Sequence, residues 1–288
     1  MDSHYSKHLL RWLAASLLAG TALLFVYLSF RPDGLDHIYV LDVGQGDSIL
    51  IRTADNHTAL IDGGPDDTVL TRLGEILPPW QNSLDLVVLT HPDSDHSAGL
   101  NAVLNRYHVG TVWFNGVDHD TQTYHTFEQL LKDKNIPTDI VRAGAKATWS
   151  QATLTALYPF SDTTLTGLDS NDTGIVTEFS DKNFDMLLTA DISDKVEAQL
   201  LARNVITPVE VIKVPHHGSK TSSSAPLIAA AHPDIALISV GANNRYGHPT
   251  PEALARYKTA NVPVLRTDQV GTIQLVTDGL SYKIKTSR

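Results

Sequence analysis

Residues 89–100 read Leu-Thr-His-Pro-Asp-Ser-Asp-His-Ser-Ala-Gly-Leu. Four side chains able to ligate a metal, His91, Asp93, Asp95 and His96, stand close together in this stretch. It follows a largely apolar run, Leu84 to Leu89, that reads as a buried strand. A loop leaving a strand can turn several consecutive side chains toward one point. A straight strand cannot, because its side chains alternate between faces. Imidazole and carboxylate together suit zinc, manganese or iron. The competing reading is a solvated turn, since Pro92, Asp93 and Ser94 are turn formers. It accounts for those three residues and leaves the flanking histidines unexplained.

Further chemistry lies downstream. His216 and His217 follow an apolar run, Val209 to Val214. Neighbouring side chains on extended backbone face opposite ways, so one of the two is expected as a ligand, with His216 preferred. Gly218 permits close approach of the backbone to a substrate. Ser219, Lys220, Thr221 and Ser222–Ser224 offer hydroxyls, amides and a cation. They read as a phosphate cradle at a helix start or as an N-capping loop. Asp42 and Asp47 flank Gly44 and Gly46, which fits a tight hairpin turn or the rim of a site. His248, with Asn244 and Tyr246, could donate a proton to a leaving oxygen or contact phosphate; a capped turn before a helix at Thr250 explains them equally well. His57, His108, His119, His125 and His232 lack a partner pattern and read as ordinary histidines. There is no Gly-x-Ser-x-Gly elbow and no Walker-type phosphate loop, which argues against a serine hydrolase and a P-loop nucleotidase.

His91-Pro-Asp-Ser-Asp-His96 resembles the H-x-[HD]-x-D-H signature of the metallo-β-lactamase fold hydrolases. Leu60-Ile-Asp-Gly-Gly64 is similar to that family's first motif, Leu188-Thr-Ala-Asp191 to the fourth, and Val214-Pro-His-His-Gly-Ser219 to the last. Leu41-Asp-Val-Gly-Gln-Gly-Asp-Ser48 and Asn244-Arg-Tyr-Gly-His-Pro249 narrow the resemblance to the hydrolase domain of the ComEC/Rec2 competence proteins, bacterial channels that import transforming DNA. The match runs from about residue 38 to the C-terminus. It implies an αββα sandwich and one or two divalent ions held by His91, Asp93, Asp95, His96, Asp191 and a histidine of the 216–217 pair. Asp95 would orient the nucleophile or take its proton, and Asp62 would orient a metal-bound histidine from behind. Asp93 stands where many relatives carry histidine, and Asp172, in Ser170-Asn-Asp-Thr-Gly174, is a candidate replacement for another. Harder oxygen ligands shift preference from zinc toward manganese or magnesium. The implied activity is metal-dependent phosphodiester cleavage of DNA, preferably single-stranded, in connection with DNA uptake, with the chain working alone or beside a separate import-channel chain. A small-molecule hydrolase of the same fold, or a non-catalytic DNA-guiding partner of a channel, stays open.

Composition bounds these readings. The chain has 288 residues, 42% of them apolar, enough for one large domain. It has no cysteine, so disulfides and thiolate ligands are excluded and any metal must be held by His, Asp or Glu. The net charge of −10 counts against a broad duplex-binding surface, which would be basic.

From Leu9 to Phe30 the only charge is Arg11. As a helix this segment is about 33 Å long and crosses a hydrocarbon core. A cleaved signal peptide is the alternative. Bulky Phe25, Tyr27, Leu28 and Phe30 leave no small-x-small site, which favours an uncleaved single-pass anchor over residues 1–31. Lys7 and Arg11 near its start favour an inward N-terminus and an extracytoplasmic hydrolase domain over residues 32–288.

The elements that must position the site follow from patterning. Strands are expected at 38–43, 47–53, 57–62, 84–89, 172–179, 184–189, 209–214, 235–240, 263–266 and 271–276. Helices are expected at 68–77, near 98–107, at 122–134 and at 193–204. Strand-rich halves with interspersed helices suggest two sheets covered by helices.

Overall fold

The computed structural model describes residues 3–288. The chain order is α1 (Ser3–Ser29), β1 (Asp36–Val40), β2 (Ile49–Arg52), β3 (Thr58–Ile61), α2 (Thr68–Ile76), β4 (Ser83–Val88), α3 (Ser94–Arg106), β5 (His108–Phe114), α4 (Gln122–Asp133), β6 (Thr138–Ile140), β7 (Lys146–Trp149) and β8 (Ala152–Tyr158). Then follow β9 (Val176–Asp181), β10 (Phe184–Leu188), α5 (Asp194–Ala202), β11 (Val211–Lys213), α6 (Ala225–Ala231), β12 (Ile235–Ile238), α7 (Pro251–Thr259), β13 (Val264–Arg266), α8 (Thr267–Val270), β14 (Ile273–Thr277) and β15 (Tyr282–Thr286).

Side-chain alternation builds four layers from this string. β2 turns Ile49 and Ile51 toward one core and Leu50 toward another; β3 does the same with Ala59 and Ile61 against Leu60. On β10 and β11, Phe184, Met186, Leu188 and Val211 share the core of Ile49 and Ile51, while Leu187 and Ile212 face a third. The shared core is the space between two mixed sheets, ordered β15-β14-β1-β2-β3-β4-β5-β6 and β13-β12-β11-β10-β9-β8-β7. The outer face of the first is covered by apolar residues of α2, α3 and α4, including Leu73, Leu100, Val103 and Phe127. The outer face of the second is covered by α5, α6 and α7 through Val196, Leu200, Leu227, Ile228 and Tyr257. This is the αββα sandwich of the metallo-β-lactamase type.

Several elements depart from the sequence reading. α3 begins at Ser94 rather than near 98, so Asp95 and His96 lie in its first turn. Asp95 there meets the partial positive charge of the helix N-terminus. Residues Asn171–Thr173 form a short 3-10 turn, and the strand expected from 172 begins at Val176. β5 to β8, β15 and α8 escaped the reading, and α6 was foreseen only through the capping loop before it. α8 is only 4 residues long, too short to show a helical period.

α1 contains, over Leu10–Leu28, the one described helix long and apolar enough to cross a membrane; it could be an anchor or a signal sequence. Leu10, Trp12, Leu17, Leu18 and Phe25 on it are largely exposed. Its end meets the globular body where Phe30 packs edge-on against Trp80 and Arg52 donates to the Phe30 carbonyl.

The junction of β3 and α3 leaves no room for a side chain at Gly99. A Cβ there would collide with the Gly63 carbonyl oxygen and come within 2.6 Å of that of Asp66. Gly63 in turn donates to the His96 carbonyl. Gly99→Ala should therefore destabilise the protein by about 1–3 kcal/mol, as overpacking does. Chemical denaturation of the two proteins measures this, and an unchanged midpoint would show that the junction yields freely.

Candidate metal centre

Loops at the ends of β1, β3, β4, β10, β11 and β12 meet at one edge of the sandwich. β4 leads through Thr90 to His91 and Asp93, and α3 adds Asp95 and His96. β10 delivers Asp191 and β11 delivers His217. Asp95, His96, Asp191 and His217 each offer a ligand atom within 4.8 Å of the others. His217 Nε2 lies 3.1 Å from Asp191 Oδ2 and 3.5 Å from Asp95 Oδ2, and His96 Nε2 lies 3.4 Å from Asp191 Oδ2.

The far side of each ring fixes which nitrogen faces the centre. His96 Nδ1 donates to Asp62 Oδ2 at 2.7 Å, and His217 Nδ1 donates to the Ser239 carbonyl at 2.8 Å. Asp62 is held in turn by the amide and hydroxyl of Thr90. Both Nε2 atoms are thus aimed inward, the arrangement by which outer hydrogen bonds orient metal-bound histidines.

The cluster also passes a test of fit. Twelve buried side-chain atoms among the described residues lack a hydrogen-bond partner. Seven of them belong to Asp47, His91, His96, Asp191, His216, His217 and His248, all around this edge. Buried polar atoms are normally satisfied, so this convergence fits a site that takes up a further partner. A divalent cation supplies one for carboxylate oxygen and imidazole nitrogen alike.

Electrostatics agree. Burial alone would push Asp191 up, but His217 and His96 outweigh it and hold its carboxyl well below the usual range. Burial likewise opposes the charge on Asp95, and the His217 ring 3.5 Å away, with His96 nearby, holds that carboxyl down. Conversely, burial would lower His96 and His217, yet Asp191 with Asp62, and Asp191 with Asp47, raise them well above the ordinary histidine value. His91 goes the other way, lowered by burial and then by His96, so its ring is neutral.

The remaining expected residues divide. His91 lies against His96, with ring centroids 4.1 Å apart and the rings tilted by 50°, and its Nε2 lies 3.7 Å from Asp93. His216, the preferred one of its pair, is the more exposed; its Nε2 is 4.0 Å from Asp191, while His217 joins the cluster. The reason is backbone: both residues have positive φ, 49° and 51°, so the extended geometry assumed for them does not exist. Asp172 accepts from the Ser193 amide and lies outside the cluster; its neighbour Asn171 lines the pocket instead. Asn244 spends both amide hydrogens on the Gly241 and His248 carbonyls and its oxygen on the amides of Tyr246 and His248, so it shapes the loop. Tyr246 and His248 do line the pocket. Ser219 and Lys220 do not, and the amides of Ser223 and Ser224 that a phosphate cradle would use are taken by the buried carboxylate of Glu197.

Two residues were missed or underweighted. Lys213 is fully buried, with Nζ 2.5 Å from Asp47 and 3.7 Å from Asp191. Burial would raise Asp47, but Lys213 and His217 hold it below the usual carboxylate range. The signal was present: a lysine inside the apolar strand Val211-Ile-Lys-Val214 has no reason to be there without a buried anion.

The pattern described as the Metallo-beta-lactamase superfamily matches residues 41–242. The chain belongs to that superfamily. Competence protein ComA of Neisseria gonorrhoeae is 30% identical over 92% of this chain and 35% of its own length. Recombination protein 2 of Haemophilus influenzae is 32% identical over 85% of this chain and 29% of its own. The chain is a distant relative of these competence proteins and spans about a third of their length. Among solved structures, the metallo-β-lactamase fold protein YhfI from Bacillus subtilis superposes with a TM-score of 0.54 at 14% identity, covering 81% of this chain and 97% of that one. Igni18, a metallo hydrolase from Ignicoccus hospitalis, gives 0.51 at 12% identity, with 83% and 98% covered. These two support the fold.

Because His96 and His217 are raised, they carry protons in the metal-free protein at neutral pH and must lose them before Nε2 can ligate. Their stabilisation of the metal-free fold is complete below the unfolded histidine value, roughly 6.5, and is lost as pH rises through the raised folded values. Mn2+ affinity should therefore increase from roughly pH 6 to pH 8 with net proton release. Calorimetry in buffers of different ionisation enthalpy reads this directly; binding without proton release would show that these rings are not displaced.

Proposed function

We propose that this chain is a membrane-anchored, divalent-metal-dependent phosphodiesterase that cleaves DNA, preferably single-stranded, in connection with DNA uptake. The observation that carries the chemistry is the convergence of buried, hydrogen-bond-deficient imidazole and carboxylate atoms on one point at the sandwich edge. Kinship with competence proteins supports DNA as the substrate.

Asp95, His96, Asp191 and His217 would hold one ion, and His91 and Asp93 would serve a second beside it. A bound divalent ion supplies a lowered pKa for water and a counter-charge for the phosphoryl oxygens. Asp95 combines 28% side-chain exposure with a place in the four-residue cluster, whereas Asp191 beside it is buried, and so Asp95 is suited to orient the attacking water and accept its proton. His248 is pulled down to about 4 by burial, then by His216 and His217. Its resting ring is neutral, which fits a hydrogen-bond donor to a phosphoryl or leaving oxygen better than a stored proton. Tyr246 is half exposed beside His248 with the Arg245 guanidinium over its ring. A half-exposed ring with a cation beside it offers both stacking and charge to an unpaired base at the rim of the pocket.

The full chain in detergent, stripped of metal and given Mn2+, should degrade labelled single-stranded DNA. Asp95→Ala should abolish turnover and lower metal content. Full activity with unchanged stoichiometry in that variant would remove Asp95 from the site and undercut the mechanism.

For the anchor, α1 is read as spanning the bilayer with the hydrolase body outside the cytoplasm. The protein should stay with membranes through an alkaline carbonate wash, and protease added to spheroplasts should digest the body. Release by the wash would mean a cleaved signal or peripheral attachment, and protection from protease would reverse the orientation.

A further inference from the structure

Beside the metal centre lies a second cavity, of about 650 Å3, walled by Leu165, Leu168, Arg142, His119 and Ser170. It adjoins the centre on one side: His119 Nε2 is 3.9 Å from Asp93, and Ser170 precedes Asn171, which lines the metal pocket. Tyr246 and His248 line the metal pocket and not this cavity. His119, read from sequence as an ordinary histidine, therefore sits at the junction.

The chemistry of the walls is mixed. Arg142 anchors one terminal nitrogen on the Asn115 and Val141 carbonyls; among the described residues its other nitrogens have no hydrogen-bond or ion-pair partner. Ser170 Oγ is buried and without a hydrogen-bond partner. Leu165 and the 41%-exposed Leu168 supply an apolar surface. An available guanidinium, an unsatisfied hydroxyl and an apolar wall match a phosphate, a sugar and a base. The volume falls in the range of about 300–1,000 Å3 typical for one small ligand. A base stacked in a duplex could enter only by leaving its stack, whereas an unpaired base needs no such step.

We propose that this cavity receives one nucleoside of a single-stranded substrate, next to the phosphodiester at the metal centre, with Arg142 on an adjoining phosphate. The assignment rests on the phosphodiesterase reading. A strand crossing the centre would then have one base against Tyr246 and another in the cavity, which places the scissile bond between two unpaired nucleotides.

The test is equilibrium binding of 5′-deoxyadenosine monophosphate to the full chain in detergent with chelator present, so that metal contributes nothing. Inorganic phosphate is the comparison probe. The nucleotide should bind at least about tenfold more tightly than phosphate, and Arg142→Gln should weaken it about tenfold, the scale of a lost charge-assisted hydrogen bond. Because Arg142 also holds two carbonyls, Leu168→Glu provides a surface-accessible second variant that sets a like charge against the phosphate; it should weaken binding while leaving the melting temperature unchanged. No nucleotide binding to the unmodified protein, equal affinity for phosphate, or unaltered affinity in Leu168→Glu would overturn the proposal. Variant-sensitive nucleotide binding without metal-dependent DNA cleavage would support the cavity and sink the phosphodiesterase reading instead.

Discussion

Asp47, Asp62 and Asp191 are each at most 2% exposed; Asp191 meets Asp95 at the centre, and Asp47 and Asp62 stand in a second group that shares His96 with it. Buried like charges repel strongly at low dielectric, and such an arrangement survives only if cations accompany it. Lys213 is the fixed one, a buried ammonium between Asp47 and Asp191. His96 and His217 are the adjustable ones, raised by the surrounding carboxylates and able to exchange their protons for a metal. The rest of the site follows from this balance. Asp62 must grip His96 from behind, Thr90 must grip Asp62, and Ser239 must fix His217, because a ring free to rotate could not present one nitrogen reliably.

The backbone bears the cost of bringing these groups together. Asp62, Ala190, His216 and His217 all have positive φ although none is glycine. Each such residue costs on the order of 1–3 kcal/mol and persists only where the surroundings over-determine it. All four follow strands, β3, β10 and β11, whose side chains are locked into cores on both faces of their sheets. The rigid sandwich thus supports strained turns that a smaller or one-sided sheet could not hold.

Most of the site was legible because its residues are chemically costly where they stand. The His/Asp run after Leu89 and the isolated Asp191 after an apolar strand point to metal chemistry without any coordinates. Which of His216 and His217 turns inward was not legible, since it depends on two consecutive left-handed residues where a strand continuation was assumed. Asp172 failed for a similar reason: its short 3-10 turn directs the carboxylate onto Ser193, a contact made across the fold rather than along the sequence. The phosphate cradle after Gly218 looked open because Glu197, which occupies those amides, lies more than twenty residues upstream. Two helix-covered sheets were legible from strand-rich halves with interspersed helices, and the αββα order from the resemblance, whereas β5 to β8 and β15 were overlooked.

The acidic character of the chain also finds its place. With a net charge of −10, the surface as a whole repels a polyanion, and long-range attraction cannot gather DNA. Recognition must then be short-range. A bound divalent ion reverses the sign at the centre itself, while Arg245 on one flank and Arg142 on the other offer isolated cations next to surfaces suited to unpaired bases. Such a site discriminates by accessibility of the base rather than by phosphate density. A duplex presents more charge but hides its bases, and a single strand presents both a flexible backbone and free π-faces. Under the proposed phosphodiesterase reading, repulsion elsewhere on the body would favour release of a strand once it is cut.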